Sequence, residues 1–415
     1  MNKDTMDHCK LLLRGAVALA RAGVTAVVLA VVLLGLSACG SKKEPVENVI
    51  YLIGDGMGFG AVSSLLLTEE GLTGFEMEPV IGLNETTSAN NYVTDSPAGG
   101  TALATGTRTN NGYLGVDPDG NPLTSILKTA QSLGKKTGIV VNTVLTEATP
   151  GAFYAGVLSR KESYRIAEQF VESGVDVAIG SGLSAFVNRP DSVDLTASLI
   201  EKGYEVYLDW ASVVRTEAER FVGILPMGDV HRRNTTSKTA GAADGAEVCL
   251  AAQLAAAADL QADASEKADS LVCDPTTYLT QATAKALQTL EKNSPNGFFL
   301  MIESAIIDGY GHNNDSEGMI LEMQEFDATL KMLVNYVTTH PNTLLVVTAD
   351  HETGGTSVGY RSIRADEPAA VQLTFSTKGH TGTVVPVFAY GPGAGLFGGV
   401  MKNYQIPKKI QDLMQ

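Results

Sequence analysis

Six short apolar runs, separated by amphipathic segments, restrict what this chain can fold into more than any other feature of it. ENVIYLI, KTGIVVN, VDVAIG, GFFLMIE, TLLVVTAD and VVPVFAY are continuous rather than alternating, rich in β-branched residues, and run out into polar residues or Gly. Continuity of that kind suits strands covered on both faces. Helix spacing marks the segments between them. Met319, Met323, Phe326, Leu330, Leu333 and Val337 recur at intervals of three and four, and Asn121-Pro122 opens another helix that Gly134 closes. Strand–helix alternation over this length predicts a large doubly wound α/β domain: a mostly parallel central sheet with helices on both faces. A chain of 415 residues, 44% of them hydrophobic, can bury such a core. In open sheets of this type ligands gather beyond the carboxyl ends of the strands. Here those ends carry reactive side chains: Asp55 after YLIG, Glu303 after FFLMI, and Asp350-His351 after VVTA.

The amino-terminal segment does not belong to that pattern. Lys3, Lys10, Arg14 and Arg21 precede the apolar stretch AGVTAVVLAVVLLGLSAC, so residues 1–38 read as a secretory signal, too short in its apolar run to favour a spanning helix. Leu36-Ser37-Ala38-Cys39 resembles a bacterial lipobox. It implies a lipidated Cys39 at the mature terminus, residues 39–46 as a tether, and an exported protein held at the cell envelope by its lipid. Removing the four basic and two acidic residues of 1–38 takes the formal charge from −16 to −18. So acidic a chain is a poor nucleic-acid binder, and any anion site on it needs local positive charge. Of the four cysteines, Cys249 and Cys273 remain after Cys9 and Cys39; a disulfide and two free thiols are both open. Residues 229–273, from GDVHRRNTTSKT through an alanine-rich stretch, read as an insertion carrying one or two peripheral helices.

Ser96 lies in TDSPAGGTALATG, where Pro97 suits the first helical position and Ala98, Gly99, Gly100, Ala102 and Ala104 fill the first turns. A serine at such a helix start, beside free N–H groups and the positive end of the dipole, suits an oxyanion or a phosphate. Three of the six histidines fall in suggestive settings. His312 follows Asp308 by four residues, His351 follows Asp350 directly, and His380 lies in KGHTGTVVP. Imidazole with carboxylate, in an exported chain without a thiolate cluster, suits Zn²⁺. Asp55 in GDGMG is available as a bridge.

NVIYLIGDGMG, TDSPAGGTALATG, EATPGAFYAGVLSRK, FFLMIESAIIDGYGH, TADHETGG and GHTGTVVPVFAYGP together resemble the ordered signature of the alkaline phosphatase family, and cover nearly all of residues 47–415 except the insertion. The resemblance implies a two-zinc, one-magnesium phosphomonoesterase that works through a phosphoserine at alkaline pH. Asp308, His312 and His380 would hold the first Zn²⁺. Asp55, Asp350 and His351 would hold the second, next to the nucleophile Ser96. Asp55 would also reach a Mg²⁺ shared with Thr149 and Glu303, whose hard oxygens suit that ion. Arg160 matches the family's phosphate-gripping arginine, a guanidinium whose fork fits two phosphate oxygens. Small phosphate monoesters are the implied substrates. The family's frequent homodimer carries over only weakly, because just 28 residues separate His351 from His380 and leave little room for a further surface domain.

Two positions depart from the family's pattern. Glu147 stands where many bacterial relatives have Asp and others His, so its part in the magnesium set, direct or through water, is open. Gly309 follows Asp308 where the family often has Lys, His or Trp, so one contact to phosphate is missing and weaker phosphate retention is expected. Two alternatives remain at this stage: a phosphodiesterase or sulfatase of the same superfamily, and a lipoprotein that binds phosphate or metal without turnover. Thr149, Glu303 and Arg160 together favour monoester hydrolysis over the former, and a nucleophile is superfluous in the latter.

Overall fold

Val49 through Ile53 are all fully buried, as a strand covered on both faces requires. In the computed structural model, which describes residues 46–230, 278–292, 294–359 and 371–415, this run is the strand β1 (Asn48–Gly54) at the centre of a ten-stranded sheet. The next strands in the chain are β2 (Val80–Glu85), β3 (Lys136–Val144), β4 (Val177–Ser181), β5 (Glu205–Tyr207), β6 (Phe221–Leu225), β7 (Phe298–Ser304) and β8 (Thr343–Thr348). After them come β9 (Glu352–Thr353), β10 (Thr356–Val358), β11 (Leu373–Phe375), β12 (His380–Thr381), β13 (Val385–Tyr390) and β14 (Gly399–Lys402). The large sheet has the order β14-β2-β13-β8-β1-β7-β3-β4-β6-β5, while β9 with β12 and β10 with β11 form two small antiparallel pairs. Only β13 runs against its neighbours β8 and β2; the other pairings in the large sheet are parallel.

Helices cover both faces, as the alternation of elements predicts. Those that cover the sheet or build the site are α1 (Phe59–Thr68), α2 (Ser96–Thr105), α3 (Ile126–Ser132), α4 (Ala148–Gly151), α5 (Tyr278–Lys292), α6 (Ile306–Asn313), α7 (Ser316–Thr339) and α8 (Gln405–Met414). Successive strand residues point to opposite faces. Val49, Tyr51 and Ile53 of β1 accordingly pack with Leu103 of α2, Leu127 of α3 and Ile410 of α8. Ile50 and Leu52 pack on the other side with Leu65 of α1, Leu287 of α5 and Phe326 of α7. The stripe from Met319 to Val337 is the buried face of α7.

One helix boundary differs from its sequence expectation. Asn121 and Pro122 do not open α3. Asp117 Oδ1 accepts from the Asn121 N–H at 2.8 Å, and Pro122 bridges to Val116 in extended backbone. The cap is Ser125, whose Oγ accepts from the Lys128 N–H at 3.2 Å. A residue able to bind the free N–H groups of the first turn fixes a helix start better than a proline already held in a turn. Asp229 and Val230, the first residues of the expected insertion, end a short helix, Met227–Val230. The rest of that segment, Cys249 and Cys273, and the signal, Cys39 and tether through residue 45 lie outside the described residues.

Candidate active site

Asp55 leaves β1 in a tight turn, its N–H held by the Ser304 carbonyl of β7 at 3.0 Å. The next residue must be glycine. Gly56 has φ +75°, and a Cβ there would stand 2.7 Å from the Asp308 Cα. This close approach brings the start of α6 against the end of β1, and with it Asp308 and His312, one helical turn apart on one face.

Two ligand sets form at this edge. Asp308, His312 and His380 have donor atoms within 4.8 Å of one another, as do Asp55, Asp350 and His351. In the first, which is half-buried, His312 Nε2 lies 3.3 Å from Asp308 Oδ2 and 3.2 Å from His380 Nε2. In the second, which is buried, His351 Nε2 lies 3.4 Å from Asp55 Oδ1 and 3.3 Å from Asp350 Oδ2. The imidazoles are aimed alike. His380 Nδ1 donates to the Thr94 carbonyl (2.9 Å), His312 Nδ1 to the Lys378 carbonyl (2.5 Å) and His351 Nδ1 to Thr353 Oγ1 (3.2 Å). Each proton is thereby placed on Nδ1, which leaves the three Nε2 lone pairs free to ligate. His312 sits on α6 and His380 on β12 of a small pair, so neither comes from a strand of the large sheet.

The electrostatics call for cations. Asp350 Oδ2, Asp55 Oδ1, both carboxylate oxygens of Glu303 and Thr149 Oγ1 are buried and have no hydrogen-bond partner among the described residues. Burial, then the charges of Asp350, Asp308, Glu303 and Glu147, push the Asp55 carboxyl well above the usual range. Glu303 is pushed the same way by burial and then by Glu147 and Asp350. Asp350 is pushed up to about 7 by burial and the Asp308 charge. His351 is driven well below the usual histidine range by burial and by the neighbouring His380, His312 and Arg160. Neutral imidazole beside carboxylates that lack donors is the composition a divalent cation satisfies. Two imidazoles with one carboxylate, and one imidazole with two carboxylates, suit Zn²⁺; the oxygens of Thr149, Glu303 and Asp55 suit Mg²⁺.

Ser96 is the first residue of α2, almost fully buried, with Oγ 3.2 Å from His351 Nε2 and 3.4 Å from Arg160 Nη1. The helix start offers an anion less than the sequence suggested. Asp95 is the cap, and its Oδ1 takes the Ala98 N–H. Gly99 donates to the Asp95 carbonyl, and proline has no N–H. Only the N–H of Ser96 itself is left in that turn, so among the side chains Arg160 must supply the positive charge. Its guanidinium is paired with Glu147, which also caps α4 by accepting from the Ala148 N–H at 3.1 Å. Thr149 therefore sits inside that turn rather than capping it.

Sequence reasoning overlooked two residues. Thr353 Oγ1 donates to Asp308 Oδ1 (2.5 Å) while accepting from His351 Nδ1, and so joins the two sets in one hydrogen-bonded chain. Glu352 accepts from the Gly355 and Thr356 N–H groups (3.2 and 2.8 Å) and from the Thr381 hydroxyl. It thus braces the β9–β12 pair that carries His380. Both follow His351 in TADHETGG, and polar residues continuing straight on from a buried ligand were the available signal.

Known proteins resemble this chain over most of its length. The family model described as Alkaline phosphatase matches residues 46–371. Alkaline phosphatase 3 of Bacillus subtilis (strain 168) is 27% identical over 90% of each chain. The solved alkaline phosphatase of the Antarctic bacterium TAB5 is 30% identical, with a TM-score of 0.74 over 89% of this chain and 98% of that one. A variant of that enzyme with one histidine replaced by glutamate, solved with Mg bound in its M3 site, is 31% identical with a TM-score of 0.74, covering 90% of this chain and 99% of the other.

Proposed function

The chain belongs to the alkaline phosphatase family and hydrolyses phosphate monoesters in a metal-dependent reaction, and on that premise we propose how its residues share the work. Asp308, His312 and His380 hold one Zn²⁺, and Asp55, Asp350 and His351 hold a second. Asp55 is shared with a Mg²⁺ that Thr149 and Glu303 also hold. The observation that carries this reading is the convergence of two ligand triads beside Ser96, with buried carboxylate oxygens that no donor among the described residues satisfies. The Antarctic relative, whose histidine-to-glutamate variant holds Mg in its M3 site, supports a Mg²⁺ set in this fold. When bound, such ions lower the pKa of a ligated hydroxyl and offset the charge that develops on the phosphoryl and leaving oxygens.

Ser96 Oγ is the nucleophile. It attacks phosphorus in line with the leaving oxygen and gives up its proton; the bond from phosphorus to that oxygen breaks, the departing oxygen takes up a proton and leaves as the alcohol, and the serine carries the phosphoryl group. Arg160 grips two non-bridging oxygens with its planar fork, and the Ser96 N–H adds the one donor the helix start still has. Thr353 and the Thr94 and Lys378 carbonyls keep the imidazoles in one tautomer throughout. Water then attacks the phosphoserine, restores the Ser96 hydroxyl and releases inorganic phosphate, with net retention at phosphorus after two inversions. Because that water must lose a proton, the optimum is alkaline. Residues 1–38 direct export, and a lipid on Cys39 holds the enzyme at the cell envelope.

Ser96→Ala tests the assignment. The variant should fold, keep two zinc and one magnesium per chain by elemental analysis, and lose monoesterase turnover by roughly 10³-fold or more. Wild-type turnover in that variant would falsify the nucleophile.

A further inference from the structure

Glu322, near the middle of α7, is a buried acid, 4% exposed, that the reaction does not use. Its Oε1 accepts from Asn142 Nδ2 and from Ser304 Oγ, both at 2.6 Å. No Lys, Arg or His pairs with it among the described contacts. Burial holds its carboxyl above the ordinary range. An acid kept in such a place is expensive, and an apolar side chain would fill the space more cheaply. Its partners account for its presence. Asn142 lies on β3 and takes the Ala305 N–H on its Oδ1 at 2.8 Å, while Ser304 ends β7 and holds the Asp55 N–H on its carbonyl at 3.0 Å. Through two side chains, Glu322 therefore gathers the ends of three adjacent strands: β3, β7 and β1.

The pleat turns this grip into placement. Phe298, Leu300 and Ile302 of β7 point to the α7 side of the sheet, and Phe299 and Met301 point to the α2 side. Ser304 continues the first series and Glu303 the second. A hydroxyl fixed to Glu322 on one face thus fixes the direction of Glu303 on the other, and the same residue's carbonyl fixes the backbone of Asp55. We propose that Glu322 is a positioning residue for the magnesium set. It holds Glu303 at the distance from Asp55 that ion needs; Asp55 itself is kept in place by the backbone pairing of β1 with β7 and β8, and the Asp308–His312–His380 set by Glu352, so neither zinc set depends on Glu322. The inference rests on the assignment of Glu303 and Asp55 to Mg²⁺ made above.

The test is calorimetric titration of MgCl₂ into the zinc-loaded enzyme, with zinc content measured in parallel. Glu322→Leu keeps bulk and removes the acceptor, so Mg²⁺ should bind about tenfold more weakly or worse, with zinc content unchanged. Glu322→Gln retains a carbonyl acceptor and should bind Mg²⁺ within about threefold of wild type, a rescue that loss of packing would not give. Should Glu322→Leu fail to fold, Ser304→Ala releases β7 alone and should weaken Mg²⁺ severalfold, again without zinc loss. Wild-type Mg²⁺ affinity in Glu322→Leu or Ser304→Ala overturns the proposal, as does zinc and magnesium falling together. Glu303→Gln separates the two levels of inference. If that variant binds Mg²⁺ like wild type, the ion's assignment fails and the positioning role with it. If it binds weakly while Glu322→Leu does not, only the positioning role fails.

Discussion

Gly309 follows the ligand Asp308 on α6, and a Cβ built there meets none of the described residues within 4 Å. Space for a larger side chain exists, so no steric demand keeps glycine where the family often has Lys, His or Trp. The neighbouring chemistry gives the position its meaning. The α2 start retains only the Ser96 N–H for an anion, Arg160 is shared with Glu147, and Gly309 adds no donor, so bound phosphate is held by few groups. Inorganic phosphate should therefore inhibit this enzyme more weakly than it inhibits Lys-bearing relatives. Gly309→Lys should tighten that inhibition about tenfold, the effect of one charge-assisted hydrogen bond of about 1.5 kcal/mol. Where product release limits turnover, kcat should fall in the same variant. A phosphate inhibition constant unmoved by the new lysine would show that the site's grip lies elsewhere. The residue scale was also the most legible in the sequence. The aspartates and histidines that converge are residue types with ligand chemistry, and their names alone nominated them. Thr353 and Glu352 carry no such label, and their roles depend on hydrogen bonds that only the folded β9–β12 pair creates.

Helix α2 shows what small residues at the start of an element accomplish. A Cβ on Gly99 would stand 3.0 Å from the Asp350 carbonyl oxygen, and one on Gly100 2.9 Å from the Thr149 Cα. The helix thus lies backbone to backbone against a strand-end ligand and against the α4 turn, which is how Ser96, Asp350 and Thr149 come to share one site. Alanine is the better helix former by about 1 kcal/mol, so propensity alone predicts that Gly100→Ala stabilises the protein. Packing reverses the sign, because the new methyl meets main chain that cannot swing aside. The variant should melt at lower temperature and carry less Mg²⁺, measured by calorimetry and elemental analysis; a higher melting temperature at full metal content would refute the close-packing account. Elements were legible in the sequence where burial on both faces made a run continuous, as in β1, β7 and β8. β2, β5, β6 and β14 carry no clear mark in the sequence, for different reasons; β5, EVY, is only three residues long. VIGLNE and GVMK are short and partly exposed, so neither alternation nor a continuous apolar run marks them. FVGIL is apolar but only five residues long, a length at which strand and helix look alike. The α3 boundary is not legible in the sequence because Pro122 is as suited to the extended bridge with Val116 as to a helix start.

At the scale of the whole molecule, parallel strands converge so many carboxylates on one edge of the sheet that folding and metal binding become one problem. Stripped of metal, the folded protein must keep Asp55, Glu303 and Asp350 buried together without donors for several of their oxygens. Asp350 then titrates at about 7, against roughly 3.9 in an unfolded chain. Between those values the folded state retains a proton that the unfolded state has released, so stability falls as pH rises through that window. Asp55 and Glu303 are shifted in the same direction and extend the loss. His351 is shifted downward and opposes it only below about pH 6.5, where the unfolded imidazole is protonated and the folded one is not. Three acids outweigh one histidine, and the chelator-treated protein should be more stable at pH 5 than at pH 8. Metal loading reverses that dependence. Ligation requires deprotonated carboxylates and neutral imidazoles, so metal affinity, and the stability linked to it, increases with pH. Differential scanning calorimetry from pH 5 to pH 8 should accordingly give melting temperatures that fall with pH after chelation and rise with pH when Zn²⁺ and Mg²⁺ are present, with monoesterase activity lost and regained alongside. Slopes of the same sign in both forms would mean that these carboxylates are not the ones that hold the ions.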